Sequence, residues 1–191
     1  MKIKTKEKLF DISKTIFCIA LAGILGAAIS HHYKVLEEKN QIYTESRKAA
    51  TKTYYEIIDL IGERHYFALR AAIGYQYKVD PHERWELYDA TVANWNKRRY
   101  STLALINRYF GERAEQQVYT LIKSFSSIHQ QLIKVKNLCN ENKPIPDLTS
   151  LLNEIYKLDD DISIFSKHLQ IQLKEGQVDI YIPSPPLEKP K

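Results

Sequence analysis

The sequence predicts an all-α fold, and three observations carry that expectation. Apolar residues recur at alternating spacings of three and four over most of the chain, the signature of helices with one buried stripe. Glycine and proline are scarce, 6 and 7 in 191 residues, which disfavours a fold rich in strands and turns. An uncharged run, Thr15 to Tyr33, precedes the periodic region. Together they predict an N-terminal single transmembrane helix, a helical stalk, an antiparallel up-down four-helix bundle and a Pro-rich C-terminal tail. The expected segments are 1–14, 15–33, 34–53, 54–176 and 177–191 in that order.

The uncharged run holds 19 residues between Lys14 and Lys34. At 1.5 Å per residue it reaches ~28 Å, close to a hydrocarbon core of ~30 Å. A cleaved signal peptide is the competing reading, with small residues at Ala28 and Ser30. Its apolar region is ordinarily ~7–15 residues, so the length favours an anchor. Lys2, Lys4, Lys6, Lys8 and Lys14 precede the run against Glu7 and Asp11. That bias predicts a single-pass protein of the cytoplasmic (inner) membrane, with a cytoplasmic N-terminus and a periplasmic or extracellular domain. Inside the run, Ala22 with Gly26 and Gly23 with Ala27 form two small-xxx-small pairs, candidates for transmembrane helix packing.

Four helices follow from the periodicity. The first runs from about Lys34 to Tyr77, with a polar stalk and then Tyr54, Ile58, Ile61, His65, Ala68, Ala72 and Tyr75 on one face. "VDPHE" breaks it, with Asp80 as an N-cap, Pro81 at the first helical position and Glu83 completing a capping box. The second runs from Pro81 to Phe110 with Trp85, Tyr88, Val92, Trp95, Arg99, Leu103, Ile106 and Phe110 in its stripe. Gly111 is its expected C-terminal cap. The third, from Glu112 to about Glu141, places Ala114, Val118, Leu121, Phe125, Ile128, Leu132, Val135 and Cys139 in a faultless heptad. The fourth opens at Asp147, ends near Gly176 and repeats Leu148, Leu151, Ile155, Leu158, Ile162, Phe165 and Leu169. Short connections between long helices make neighbours antiparallel. The tail, "QVDIYIPSPPLEKPK", reads as extended and polyproline-like.

Charge and motif content narrow the functional classes. Of the net +5, residues 1–14 carry +3, leaving a balanced remainder that argues against nucleic acid as a partner. The basic cluster "NWNKRRYS" is spread around a helix and reads as a solvated face. Di-metal bundles use Glu-x-x-His pairs. The chain has none, and it has no Cys-x-x-Cys, Gly-x-Ser-x-Gly or Gly-rich phosphate loop. No metal, cofactor or catalytic residue is therefore assigned. Cys18 and Cys139 form no disulfide framework.

Two candidate sites remain. His65 and Arg99 are polar entries in apolar stripes, and a hairpin turning near Asp80 brings them to similar levels as a candidate polar core pocket. Trp85, Tyr88 and Trp95 form an aromatic row, a candidate partner-docking surface. The functional expectation is a membrane-anchored, non-enzymatic interaction or assembly module. Its partners would be the lipid bilayer and either an envelope protein or a second copy. A ligand-sensing bundle that signals through a membrane partner, and an immunity- or exclusion-type protective protein, are the alternatives.

Overall fold

A computed structural model of the chain describes residues 2–178, with side chains described from residue 20 onward. Three helices follow in order: α1 (Lys2–Tyr77), α2 (Pro81–Asn140) and α3 (Thr149–Glu175). The chain divides into two compact units, residues 1–44 and 45–191.

The described part of the first unit is one stretch of α1. Its side chains from Ala20 to Lys34 are exposed throughout. The expected transmembrane helix is not found there. Among the described residues no helix is long and apolar enough to cross a membrane. The physical reason is visible in the run itself. From Ala20 the apolar character lasts ten residues, to Ile29, before Ser30, His31, His32, Tyr33 and Lys34 follow, and a span needs ~20. The earlier part of the expected span, residues 15–19, lies outside the residues whose side chains are described, as do Cys18 and the basic segment 1–14. The single-pass topology, the inner-membrane location and the assignment of the N-terminus and C-terminal domain to opposite sides lose their support with it.

The second unit is built by the remainder of α1, by α2 and by α3. Its core stripe on α1 is Ala50, Tyr54, Ile57, Ile61, Arg64, Ala68, Ala71 and Tyr75, all buried and spaced 4,3,4,3,4,3,4. The expected stripe shares Tyr54, Ile61, Ala68 and Tyr75 with it. Ile57 and Arg64, however, take the positions expected for Ile58 and His65. On α2 the buried set runs through Trp85, Tyr88, Val92, Trp95, Leu103, Ile106 and Phe110, then Ala114, Val118, Leu121, Phe125, Ile128, Leu132 and Val135. On α3 it is Leu151, Ile155, Leu158, Ile162, Phe165 and Leu169. Each such aliphatic or aromatic side chain contributes about 1.5–3 kcal/mol when fully buried, and this stripe-on-stripe packing holds the unit together.

The helix count corrects the expected four-helix bundle. The second and third expected helices are one element, α2, interrupted by a single non-helical residue, Gly111, at φ 79° and ψ 175°. That region of backbone space is essentially reserved for glycine. Gly111 thus reverses the chain without a loop, and the helical ladder resumes at once. The two arms of α2 fold back on one another, as the Tyr88 hydroxyl against Nδ1 of His129 at 3.1 Å and the Asn107 amide on the Glu115 carboxylate show.

All three helices close with the same device. The backbone N–H of Val79 donates to Gly74 O (3.0 Å), that of Lys143 to Leu138 O (2.8 Å) and that of Gln177 to Gln172 O (2.9 Å). These are Schellman closures, each needing a left-handed residue just before the donor. Lys78 (φ 57°), Asn142 (φ 53°) and Gly176 (φ 69°) supply it. The expected capping box at Asp80 does not form. Asp80 is itself left-handed (φ 47°, ψ 45°), and its side chain makes no capping bond. Its carbonyl instead accepts from Arg84 N at 3.1 Å. Asp147 lies one residue before the N-cap, Leu148, and Oδ1 accepts from Thr149 N (3.2 Å) and Thr149 Oγ1 (2.8 Å). Gln76, near the end of α1, ties down this start of α3 by accepting from Leu148 N at 2.8 Å. The extended tail expected at 177–191 lies almost wholly outside the described residues.

Candidate functional site

A single arginine organises the polar interior of the second unit. Arg64 projects from α1 and is only 5 % exposed. Its Cζ stands 4.7 Å from the ring centroid of Phe125 and 5.6 Å from that of Trp95. It therefore meets both arms of α2. No Asp or Glu pairs with it among the described residues. Its Nε has no hydrogen-bond partner, and neither has Nε1 of Trp95. Burial lowers the Arg64 pKa, and the electrostatic influence of Tyr88 opposes that shift.

The network continues through Tyr88. Burial pushes the Tyr88 phenol up to about 12, with Arg64 opposing, so the hydroxyl keeps its proton. The Tyr88 hydroxyl in turn lies 3.1 Å from Nδ1 of His129, within hydrogen-bond distance. Burial first, and the Arg64 charge second, lower the His129 pKa, which favours the neutral form; Asp89 pulls the other way. Trp85 stacks on His129 at 6.3 Å and 20°, and Lys136 Nζ lies 4.5 Å from the Trp85 ring centroid. Arg64, Tyr88 and His129 thus form a polar layer that links α1 to both arms of α2 among aromatic rings. Such a layer constrains helix register, because a slip would bury its charge without partners.

The residues singled out from the sequence fall as follows. His65 is one residue from the core arginine and 13 % exposed; its Nε2–H donates to Ile155 O at 3.0 Å and its Nδ1 lies 3.7 Å from Asp159 Oδ1. It clips α1 to α3. Arg99 is half-buried, its Nη2 donates to the Tyr100 hydroxyl at 2.6 Å, and its Cζ stands 4.5 Å from that ring centroid. No contact joins His65 and Arg99 among the described residues, although Arg64 feels the Arg99 charge. Trp85, Tyr88 and Trp95 are buried at 7, 0 and 1 % exposure, and all three line the arginine network. Ala22, Gly23, Gly26 and Ala27 are exposed on α1, and a Cβ built on Gly23 or Gly26 would meet nothing within 4 Å. Among the described residues no three His, Cys, Asp or Glu side chains converge as a metal-ligand set.

Arg64 was missed by sequence reasoning, although a signal existed. The series 50, 54, 57, 61, 64, 68, 71, 75 is an unbroken heptad with one charged member, and a charge in such a series marks a polar core position. No family model, no curated protein and no solved structure matches this chain.

Proposed function

We propose that this chain is a non-enzymatic helical assembly module, in which residues 20–36 of α1 pair with the same segment of a second copy. One observation carries the reading. Leu21, Ile24, Leu25, Ile29, Tyr33 and Leu36 are 43–67 % exposed. Leu21, Leu25, Ile29 and Tyr33 follow one another at four-residue steps, with Ile24 and Leu36 beside them, so they make one bulky apolar face. Gly23 and Ala27 lie on the opposite side, while Ala22 and Gly26 fall among the bulky residues, three positions before Leu25 and Ile29. A helix that is apolar all round is normally a buried helix, and a contiguous apolar patch marks an interaction surface.

The chemistry suits another helix as the covering element. The bulky residues offer knobs, and Ala22 and Gly26 between them let a second backbone approach closely. Six large side chains from each copy, roughly half of each still to be buried, provide on the order of 15 kcal/mol gross, which exceeds most of the ~4–15 kcal/mol range for the cost of association. The arginine-centred core fits the same reading, since it gives the second unit a fixed register.

Sedimentation equilibrium of the full chain tests this. At about 10 μM, well above a Kd of ~1 μM (about 8 kcal/mol), the chain is expected to be associated. Leu25→Asp with Ile29→Asp is expected to be monomeric with unchanged helix content. A monomeric wild-type chain at that concentration, or a double variant that associates equally well, refutes the proposal.

A further inference from the structure

The two interhelical connections, residues 78–80 and 141–148, meet at one end of the second unit and enclose a cleft of about 540 Å³. That is within the ~300–1,000 Å³ of ordinary small-molecule sites. Pro81, Pro144 and Ile145 supply apolar walls. Tyr75, Cys139, Asn142, Lys78 and Lys143 supply the polar lining.

Three features of this cleft are independent of one another. The first is Tyr75, which is 1 % exposed and whose hydroxyl has no hydrogen-bond partner. Buried hydroxyls are almost always satisfied, and an orphan on a residue that lines a cavity asks for an acceptor. Burial, with Cys139 adding to it, pushes this phenol up to about 12, so it is a standing donor. The second is charge. No carboxylate lines the cleft, and Lys143 is engaged by Glu141 at 2.6 Å. Lys78 has no ion-pair partner among the described residues, and Asp80, its nearest acidic neighbour in sequence, is not part of the lining. The third is backbone strain. Lys78 occupies the left-handed closing position of α1 at φ 57°, where glycine is unstrained and a lysine is not.

We propose that this cleft binds a small organic carboxylate with a short apolar body. The carboxylate sits between the Tyr75 hydroxyl and the Lys78 ammonium, and the apolar body lies along Pro81, Pro144 and Ile145.

Hexanoate is the probe, with hexanamide as its neutral counterpart, titrated into the full-length isotope-labelled chain and followed by backbone NMR. Hexanoate is expected to saturate shifts confined to residues 75–81 and 139–145, and hexanamide to bind at least about tenfold more weakly, the loss of a charge-assisted contact. Lys78→Gly separates binding from folding. It is expected to raise the Tm by relieving the left-handed lysine, yet to weaken hexanoate about tenfold or more. Tyr75→Phe is expected to keep the Tm and weaken hexanoate as well. Equal affinity for hexanamide, unchanged affinity in Lys78→Gly, or no hexanoate-dependent shifts in those two segments overturns the proposal.

Discussion

Replacing Arg64 with methionine isolates the free energy of a buried guanidinium that lacks a carboxylate partner. Removing such a charge from water costs several kcal/mol even after relaxation. The Tyr88 hydroxyl, which favours the charged form, returns at most about 1.5–3 kcal/mol, the range for polar contacts to charged groups. The faces of Phe125 and Trp95, at 4.7 and 5.6 Å, return at most about 2 kcal/mol each in a desolvated setting. The unpartnered Nε withdraws about 1–3 kcal/mol. These terms nearly cancel, with a small excess on the unfavourable side. Methionine is similar in length, carries no charge and packs well on aromatic rings. Arg64→Met is therefore expected to hold stability or raise it by up to about 2 kcal/mol, the direction known for buried ions replaced by apolar residues. At ~2–4 °C per kcal/mol for a domain of this size, the Tm should hold or rise by up to about 8 °C. Thermal unfolding followed by far-UV circular dichroism reads this directly. Arg64→Ala is the contrast: it also leaves a void and should cost about 2–5 kcal/mol. A Tm that falls by more than about 5 °C in the methionine variant would show that the ring faces and Tyr88 outweigh desolvation, and the reasoning would fail.

Gly111→Ala places a Cβ in open space but on a backbone that only glycine adopts comfortably. Its cost is expected to be about 1–3 kcal/mol, all of it conformational, and an unchanged Tm would mean that the reversal does not depend on that geometry. The His129 pKa in the folded chain lies below its ordinary value of 6.5, so the unfolded chain binds more protons in that range. The stability contributed by neutral His129 is then complete above about pH 6.5 and is lost as pH falls toward the folded value. Between about pH 7 and 5 the Tm should decline with falling pH, and the decline should shrink in His129→Gln; a Tm that rises on acidification, or an equal slope in the variant, contradicts the assignment.

The legibility of the fold varied along the chain for identifiable reasons. From Ala114 to Val135 and from Leu151 to Leu169 the heptad has a single apolar candidate at most steps, and the sequence named the buried residues directly. On α1 it did not. Ile57 and Ile58, like Ala71 and Ala72, are apolar neighbours, so periodicity alone tolerates two phasings. The phasing that avoids a charge selects His65, whereas packing selects Arg64, because aromatic rings from both arms of α2 can sheathe a guanidinium. Gly111 was recognisable as a helix stop. The restart at Glu112 was legible in the heptad as well; what was not legible is that the two helices join as one element with Gly111 as the single non-helical residue. The Asp80 capping box failed because a left-handed residue turns its side chain away from the amides it was expected to cap. The apolar run was legible as a patch that demands covering. Its length as a membrane span was overestimated, since Ser30, His31 and His32 were counted although they favour water.

The arginine network also makes the chain optically informative. Both tryptophans of the sequence lie in the first arm of α2 and border the same layer, Trp95 beside Arg64 and Trp85 stacked on His129. Intrinsic indole emission therefore reports on this one layer and not on α3, whose inward face is aliphatic apart from Phe165. Solvent entering beside Arg64 shifts that emission to the red, and loss of helix registers separately in circular dichroism. The two signals together distinguish a loosening of the arginine layer from global melting, with no label added to the protein.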